Sequence, residues 1–220
     1  MGKTILTTTQ SDFLQLASTK PEITNWFYLT GGTALAEFYL HHRFSEDLDF
    51  FTQNKIIHEP IDKLMKQIAT KLHAKVTQEI QMGIYLYFLH FAKGGKVLKV
   101  DFAQRPFSEL ETGTTYHALK IASLWDITVD KLYTILHRTN ARDFVDLYFA
   151  YQEVGCNQEQ LIHGLAEKYE LNIGEISIAS RLLRIKDVED YPKMIKPLDK
   201  SKMEDFYFDL AKEFEHKIFI

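Results

Sequence analysis

The chain has 220 residues, of which 45% are hydrophobic and 13% aromatic, enough to fill the core of one large domain or two small ones. Lysine and arginine total 26 against 30 aspartate and glutamate residues, and the net charge of −4 excludes a chain-wide basic field for holding nucleic acid. The single cysteine, Cys156, excludes an intramolecular disulfide and a cysteine-based zinc site, and no apolar run is long enough to cross a membrane. We therefore expect a cytoplasmic protein with no membrane partner.

The first predicted elements lead into a double glycine. Thr9 is a suitable cap for a first helix, and residues 26–29 predict a short buried strand. Gly31 and Gly32 follow the strand, and a second helix is expected to begin near Thr33. Because free N–H groups at the start of a helix attract anions, this order of strand, turn and helix predicts a phosphate cradle.

Two alternating carboxylates come next. Residues 47–51 predict a strand, and Asp47 and Asp49 lie two positions apart on it, so their side chains point to the same face. Leu48 points to the opposite face and can be buried. Paired oxygen ligands suit Mg²⁺ or Mn²⁺, and Mg²⁺ is commonly bound by carboxylates together with substrate phosphates. The sequence therefore predicts nucleotide chemistry.

The rest of the first half predicts a mixed unit of helix and sheet. Residues 75–80, 84–91 and 97–103 have the composition of strands, and Gly94–Gly95 is suited to a tight hairpin turn. An amphipathic helix precedes these strands. Its apolar residues recur at steps of three and four: Ile61, Leu64, Met65, Ile68 and Leu72.

Asp101 lies in the last of these strands, where a half-buried carboxylate needs a partner. A metal ion shared with Asp47 and Asp49 would provide one. A structural salt bridge or a strand-end position is equally consistent with the residues alone.

The second half follows a predicted loop at 106–116 and a short edge strand at 119–123, and it is mainly helical. Asn157 and Gln160 have the spacing of a capping box. Further amphipathic helices are predicted at 161–171, 176–185 and 203–218.

A group of cations is the other notable feature of this half. If one helix runs unbroken through this region, three cations lie in a narrow stripe on its surface: Lys131, Arg138 and Arg142. Such a stripe is suited to binding phosphate groups. Residues 139–140 are the point at which the helix can break. Arg142 and Asp146 also have the spacing of a surface salt bridge, and we favour that structural interpretation for these two residues.

Two sets of motifs resemble the AbiEii/AbiGii toxin family, a bacterial branch of the DNA polymerase β-like nucleotidyltransferases, and they occur in the order that the family has. The resemblance covers about residues 28–150. The motifs are Gly31-Gly32-Thr33-Ala34-Leu35, His42-Arg43-Phe44-Ser45-Glu46-Asp47-Leu48-Asp49, Asp126 with Lys131, and Arg142-Asp143-x-x-Asp146-Leu147.

The resemblance implies an α+β fold, in which a polymerase β-like mixed sheet with helices is followed by a helical C-terminal region. We expect a nucleotidyltransferase core at 1–123 and a helical region at 124–220 that completes the active-site cleft. Family membership also implies an NTP substrate and an antitoxin partner. In some relatives the nucleotides are added to the acceptor end of tRNA, which makes tRNA one acceptor to test.

The resemblance also implies roles for individual residues. The predicted catalytic residues are the metal ligands Asp47, Asp49 and Asp101, together with Lys131 as a phosphate contact. The predicted nucleotide-binding residues are Gly31, Gly32, Thr33, Arg43, Ser45, Lys131, Arg142 and Asp143. For Arg43 and Ser45 a guanidinium and a hydroxyl in the loop can reach phosphate oxygens, although without the family we favour the interpretation that they are ordinary loop residues. Asp143 is expected to orient Lys131 or an arginine, or to assist an acceptor hydroxyl.

Two other functions remain open. A nucleotidyltransferase that modifies a small molecule such as an aminoglycoside shares the same chemistry, and a binding module can keep the fold without turnover. The sequence has no His-Glu-x-x-His zinc motif, no Walker phosphate loop and no Gly-x-Ser-x-Gly elbow, which removes the commonest zinc, P-loop and serine-hydrolase interpretations.

Overall fold

A computed structural model describes residues 4–171 and 173–215, which form two compact units. The first unit comprises the described part of Met1–Tyr39 together with Ser45–Ser108 and Thr112–Ser123. The second comprises the described part of Leu124–Ile220 and two short segments, Leu40–Phe44 and Glu109–Glu111. These two segments belong to the second unit although they lie within the predicted first domain.

The first unit contains a seven-stranded mixed sheet, as predicted. Its order is β3-β4-β5-β2-β1-β7-β6, and the pairs β2–β5 and β1–β7 are parallel while the other pairs are antiparallel. The strands are β1 (Tyr28–Thr30), β2 (Leu48–Thr52), β3 (Ala74–Gln81), β4 (Ile84–Phe91), β5 (Val97–Gln104), β6 (Thr115–Tyr116) and β7 (Leu119–Ile121).

The register of the central strands places one polar row across the sheet. Thr30 of β1 lies opposite Asp49 of β2, and Asp49 lies opposite Asp101 of β5. Leu48 and Phe50 are fully buried on the other face, so the alternation of β2 separates a core face from a polar face. This register aligns two of the three predicted metal ligands.

Four α-helices of the first unit accompany the sheet: α1 (Thr8–Ala17), α2 (Pro21–Thr24), α3 (Gly31–Leu35) and α4 (His58–Lys71). A π-helical turn, Ala36–Leu40, continues α3. The first helix is capped by Thr7 rather than Thr9, because Thr7 and Gln10 form a complete capping box. The prediction of an amphipathic fourth helix is confirmed, with Leu64, Met65 and Ile68 among its buried residues.

Three details of the first unit differ from the sequence prediction. The first strand begins at Tyr28, and Trp26 is 58% exposed, since a short helical turn and not a strand precedes β1. The third helix begins at Gly31, two residues before the predicted start. The strand β7 is internal, because β6 pairs with its outer side and takes the edge position.

The second unit is helical, as predicted. Its helices are α5 (Leu124–His137), α6 (Ala141–Val154), α7 (Gln158–Tyr169), α8 (Glu175–Leu182) and α9 (Lys200–Glu215), with a 3₁₀ turn at Leu183–Asp187. The capping box of Asn157 and Gln160 is confirmed at the start of α7. Residues 216–218 of the predicted last helix lie outside the described residues. Within 4–171 and 173–215, no helix has the length and apolar character needed to span a membrane.

Two short segments are tied to the helices of the second unit by their backbones. The carbonyl of His42 accepts hydrogen bonds from Ile195 N at 2.8 Å and Lys196 N at 3.0 Å. The carboxylate of Asp126 accepts from Leu110 N at 3.0 Å and Glu111 N at 3.1 Å. These bonds hold residues 40–44 and 109–111 against the helical unit.

Candidate active site

Three aspartates of the first unit, Asp47, Asp49 and Asp101, are carried by the loop before β2, by β2 and by β5. Asp49 and Asp101 are direct neighbours on the parallel strands β2 and β5, so their side chains emerge from the same face. Asp47 lies in the loop one residue before β2 begins, and not on the strand as predicted. Both Asp47 and Asp101 approach the same ammonium group, which shows that their carboxylates face a common space.

That ammonium belongs to Lys99, which was not among the residues predicted for the site. Its Nζ lies 2.6 Å from Asp101 Oδ2 and 3.9 Å from Asp47 Oδ2. Lys99 lies two residues before Asp101 on β5, so the two side chains share a face. We call Asp47, Asp49, Asp101 and Lys99 the acidic cluster; it carries three carboxylates and one ammonium.

The electrostatics of the acidic cluster reflect this crowding. Burial raises the pKa of Asp101, and the negative charge of Asp47 adds to the rise, while Lys99 opposes it. Partial burial acts to lower the pKa of Lys99, but its hydrogen bond to Asp101 and the charges of the three aspartates outweigh this and raise the pKa. The lysine therefore remains a cation at neutral pH.

Gly31 brings the backbone close to Asp49. Its φ is +74°, a left-handed conformation that favours glycine, and a Cβ placed there would lie 2.9 Å from Asp49 Cγ. The hydroxyl of Thr33, which is fully buried, donates to the carbonyl of Asp47 and so ties α3 to the loop before β2. The Thr33 hydroxyl is thus already used, so any contact of Thr33 with phosphate would be made by its backbone N–H group, as at Gly31 and Gly32.

The acidic cluster suits a divalent ion in its donor chemistry but is not closed around one. In the described part of the chain, no group of three or more His, Cys, Asp or Glu side chains is arranged to hold a metal. However, Asp101 Oδ1 is buried and has no hydrogen-bond partner among the described residues, although a buried carboxylate oxygen needs one. Hard carboxylate oxygens, one of them unsatisfied, fit Mg²⁺ or Mn²⁺.

A second ion network lies in the helical unit around Asp146. Arg43 binds its carboxylate through both Nε and Nη2, at 2.6 and 2.7 Å, while His42 Nε2 and Lys131 Nζ each lie 2.8 Å from it. Asp146 is fully buried, as is His42. Burial alone raises the pKa of Asp146, but the charges of Lys131 and Arg43 outweigh this and hold its pKa well below the usual range.

Asp143 joins the same network. It accepts a hydrogen bond from Lys131 Nζ at 3.0 Å and from Arg138 Nε at 2.7 Å, so it contacts both a lysine and an arginine where the prediction named one or the other. We call His42, Arg43, Lys131, Asp143 and Asp146 the buried ion cluster. The sequence did not link His42 to Asp146, because 104 positions separate them and neither position carries a local signal.

The predicted stripe of three cations is wrong. Helix α5 ends at His137, and Asn140 caps α6 by accepting from Arg142 N at 2.9 Å, so Lys131 and Arg142 lie on different helices. Asp146 binds Arg43 and Lys131 in the protein interior and is not part of a surface pair with Arg142, which is exposed.

The remaining predicted nucleotide contacts occupy different environments. Arg43 is 2% exposed and its guanidinium also donates to the carbonyl of Phe44, so it has a structural function in this network. Ser45 belongs to the first unit, and its carbonyl accepts from Gln10 Nε2 at 2.9 Å. The nucleotide-binding roles of Arg43 and Ser45 stay predictions.

A mixed sheet that pairs two aspartates on neighbouring strands, beside a glycine turn that opens a helix, is the arrangement that the sequence resemblance implies for a nucleotidyltransferase. The comparisons with known proteins agree. The family model for the nucleotidyl transferase AbiEii toxin of type IV toxin–antitoxin systems matches residues 14–218. The chain therefore belongs to the AbiEii family and is a nucleotidyltransferase.

The chain is also similar to individual proteins. The uncharacterized protein aq_aa25 of Aquifex aeolicus (strain VF5) is 31% identical over 195 residues, which is 87% of this chain and 89% of that protein. The crystal structure of JHP933 from Helicobacter pylori has a TM-score of 0.58 at 21% identity, covering 96% of this chain and 94% of that one. A second H. pylori structure has a TM-score of 0.57 at 20% identity, covering 96% and 97%. These two likenesses establish the fold.

Proposed function

We propose that the protein transfers a nucleoside monophosphate from an NTP to an acceptor hydroxyl and depends on Mg²⁺ or Mn²⁺. The observation that carries this proposal is the direct pairing of Asp49 with Asp101 across β2 and β5, with Asp47 facing the same space. Three carboxylates that face a common space carry more negative charge than a single lysine neutralises. This excess of negative charge suits a divalent cation.

In this proposal Asp47, Asp49 and Asp101 hold the metal. When bound there, a divalent ion would supply positive charge against the negative charge that develops in an in-line displacement at phosphorus. Gly31 presents its backbone close to Asp49, and the N–H groups of Gly31 and Gly32 are proposed to contact the phosphates of the nucleotide. The absence of a side chain at Gly31 keeps that approach open.

The proposed reaction forms one bond and breaks one. The acceptor oxygen attacks the α-phosphorus of the NTP, and the bond from that phosphorus to the oxygen that bridges it to the β-phosphorus breaks. Pyrophosphate leaves with the bridging oxygen, and the hydroxyl proton passes to solvent. Asp101, beside the attacking oxygen in this scheme, favours loss of that proton.

We also propose that Lys131 contacts phosphate. An ammonium has three N–H donors, and Asp143 and Asp146 account for two of them. Its side chain is 10% exposed, which leaves a narrow path for one anionic oxygen. Arg142 is exposed and remains a proposed contact for nucleotide, while Asp143 is proposed to orient Lys131 and Arg138.

Family membership supports the biological part of the proposal. The matching model describes a toxin of a type IV system, so we propose that this protein acts as a toxin in the cytoplasm and has a cognate antitoxin. We propose tRNA as the acceptor to test first. A small acceptor such as an aminoglycoside is the competing outcome of the same test.

The test is to incubate the purified protein with Mg²⁺, each labelled NTP in turn, and separate pools of tRNA, total RNA, total protein and aminoglycosides. Transfer of label to tRNA, with release of pyrophosphate, is the expected result. Label that appears only on a small molecule would overturn the acceptor assignment while keeping the chemistry. No label on any pool, from protein that is shown to be folded, would overturn the proposed transfer itself.

A further inference from the structure

Lys99 occupies an unusual place for a lysine. Its ammonium lies between Asp101 and Asp47, at 2.6 and 3.9 Å from their Oδ2 atoms, on the face of the sheet where the proposed metal belongs. Its side chain is 31% exposed, so the ammonium is neither an ordinary surface charge nor a fully buried one. A cation is thus already present among the carboxylates.

The positions of the carboxylates are consistent with this resident cation. Asp101 uses Oδ2 to accept from Lys99, and its buried Oδ1 has no partner within the described residues. The three aspartates do not form a closed metal cage within that part of the chain. An ammonium and a divalent ion that are held by the same two carboxylates repel each other, so binding of the ion favours withdrawal of the ammonium.

We infer that Lys99 is a built-in competitor of the metal: it neutralises Asp101 and Asp47 when no divalent ion is present and must release them before an ion can bind. This inference rests on the proposed function, because it uses the same three carboxylates as metal ligands. Lys99 is therefore a positioning residue for the proposed reaction. It makes the free protein a weak binder of divalent ions and favours entry of the ion together with the NTP, whose own phosphates supply further ligands.

The test is binding of Mn²⁺ alone to the free protein, measured by calorimetry and by the loss of the free-ion electron paramagnetic resonance signal. In Lys99→Met the stem remains and the charge is lost, so Mn²⁺ should bind at least tenfold more tightly than to the wild type. Lys99→Arg should bind Mn²⁺ as weakly as the wild type, because it restores the cation. Lys66→Met is the matched control, since it removes a lysine that also forms an ion pair at 2.6 Å, with Asp62, on the exposed surface of α4.

Thermal unfolding gives a second measurement that does not depend on transfer activity. In EDTA, Lys99→Met should melt below the wild type, because Asp47 and Asp101 then lose the cation that lies between them, and added Mn²⁺ should raise its Tm more than it raises that of the wild type. If the methionine variant does not fold, the same measurements are made on Lys99→Gln, which keeps a hydrogen-bond donor but has no charge. Both neutral variants should behave alike.

The outcomes separate this inference from the proposed function. Equal Mn²⁺ affinity in the wild type and the neutral variants, or weaker binding in the variants, would overturn the role of Lys99 while leaving the metal site in place. If Mn²⁺ binds none of these proteins, or binds Asp49→Asn as tightly as the wild type, the metal site itself is overturned. Tighter binding that also appears in Lys66→Met would assign the effect to net charge and would equally overturn the inference.

Discussion

The acidic cluster and the buried ion cluster both combine aspartates with basic side chains, but they differ in their balance of charge and in their exposure. The acidic cluster sets three carboxylates against one ammonium, and its Asp47 side chain is 38% exposed. The buried ion cluster surrounds Asp143 and Asp146 with cations, and the Asp146 side chain has no exposed surface. One cluster has an excess of negative charge at an accessible place, and the other has its carboxylates neutralised in the interior.

This difference separates the proposed metal site from a network that is mainly structural and in which Lys131 is the member proposed to reach phosphate. A carboxylate with no exposed surface, bound by Arg43 and Lys131, fixes the short segment 40–44 to α5 and α6 and gains little from any further ligand. Carboxylates that outnumber their cations repel one another until another positive charge arrives. The excess of charge at an open place is therefore a better indicator of function than the number of ionisable residues.

The largest effect is expected from Asp49→Asn. It removes one ligand charge from the acidic cluster, and because a bound metal supplies several kcal/mol of transition-state stabilisation, transfer should fall at least about a thousandfold. The free energy of unfolding should change by no more than about 1 kcal/mol. Labelled-NTP transfer and urea unfolding measure the two quantities. An Asn variant that keeps more than a tenth of wild-type transfer would contradict the proposed metal ligand.

Asp146→Asn should show the reverse pattern in stability. It removes the carboxylate charge that Arg43 and Lys131 both bind in the interior, while Asp143 still pairs with Lys131, and removal of one partner of a buried ion pair typically destabilises a protein by about 3–5 kcal/mol. Urea unfolding measures the change. Asp62→Asn is the control: it removes the carboxylate of an exposed ion pair on α4 and should change stability by less than about 1 kcal/mol. A loss at Asp146 no larger than the loss at Asp62 would show that the buried ion cluster is not structural.

The parts of the fold that depend on local pattern could be predicted from sequence. The strands at 84–91 and 97–103, the helix α4 and the capping box of α7 follow from alternation, three- and four-residue periodicity and cap spacing. The mixed sheet and the order of motifs followed from the family resemblance. The ends of the helices were predicted less reliably. Thr7 and Thr9 are equally good caps by residue type, and it is the capping box between Thr7 and Gln10 that selects Thr7.

The parts that depend on long-range pairing could not be predicted. Nothing near His42 or Arg43 indicates that Asp146 lies beside them, and the break at Asn140, which separates Lys131 from Arg142, was one of two open alternatives. Lys99 did have a local signal, because a residue two positions before Asp101 on a strand shares its face. A row of carboxylates on one face of a sheet therefore predicts a counter-charge on the same face, at the positions two residues away along each strand.

Gly31→Ala is expected to have a smaller but selective effect. The new Cβ would lie 2.9 Å from Asp49 Cγ and displace this carboxylate, so transfer should fall about tenfold to a hundredfold. Gly83→Ala is a matched control, because Gly83 also has a positive φ, +81°, but a Cβ added there would meet no heavy atom of the described residues within 4 Å. Both changes should destabilise the fold by roughly 1–2 kcal/mol through the left-handed backbone. Equal transfer in the two variants would show that Asp49 tolerates the displacement.

The smallest effect concerns the pH dependence of stability in the buried ion cluster. Burial lowers the pKa of His42, and Arg43 and Lys131 lower it further, although Asp146 opposes the shift. The unfolded chain, whose histidine pKa is about 6.5, then binds a proton more readily than the folded protein. The contribution of His42 is therefore complete above about pH 6.5 and is lost as the pH falls from there towards the folded pKa, by at most about 1.4 kcal/mol per pH unit.

His42→Gln tests this sign, because the glutamine amide can still donate to Asp146 but does not titrate. Urea unfolding at half-unit steps from pH 7.5 to pH 5 should show a shallower loss of stability in the variant than in the wild type. The two curves should run parallel above pH 7, since His42 is neutral there in both the folded and the unfolded chain. A variant that loses stability as steeply as the wild type would show that the pKa of His42 is not lowered by folding, and a steeper loss in the variant would show that Asp146 outweighs the burial of the ring.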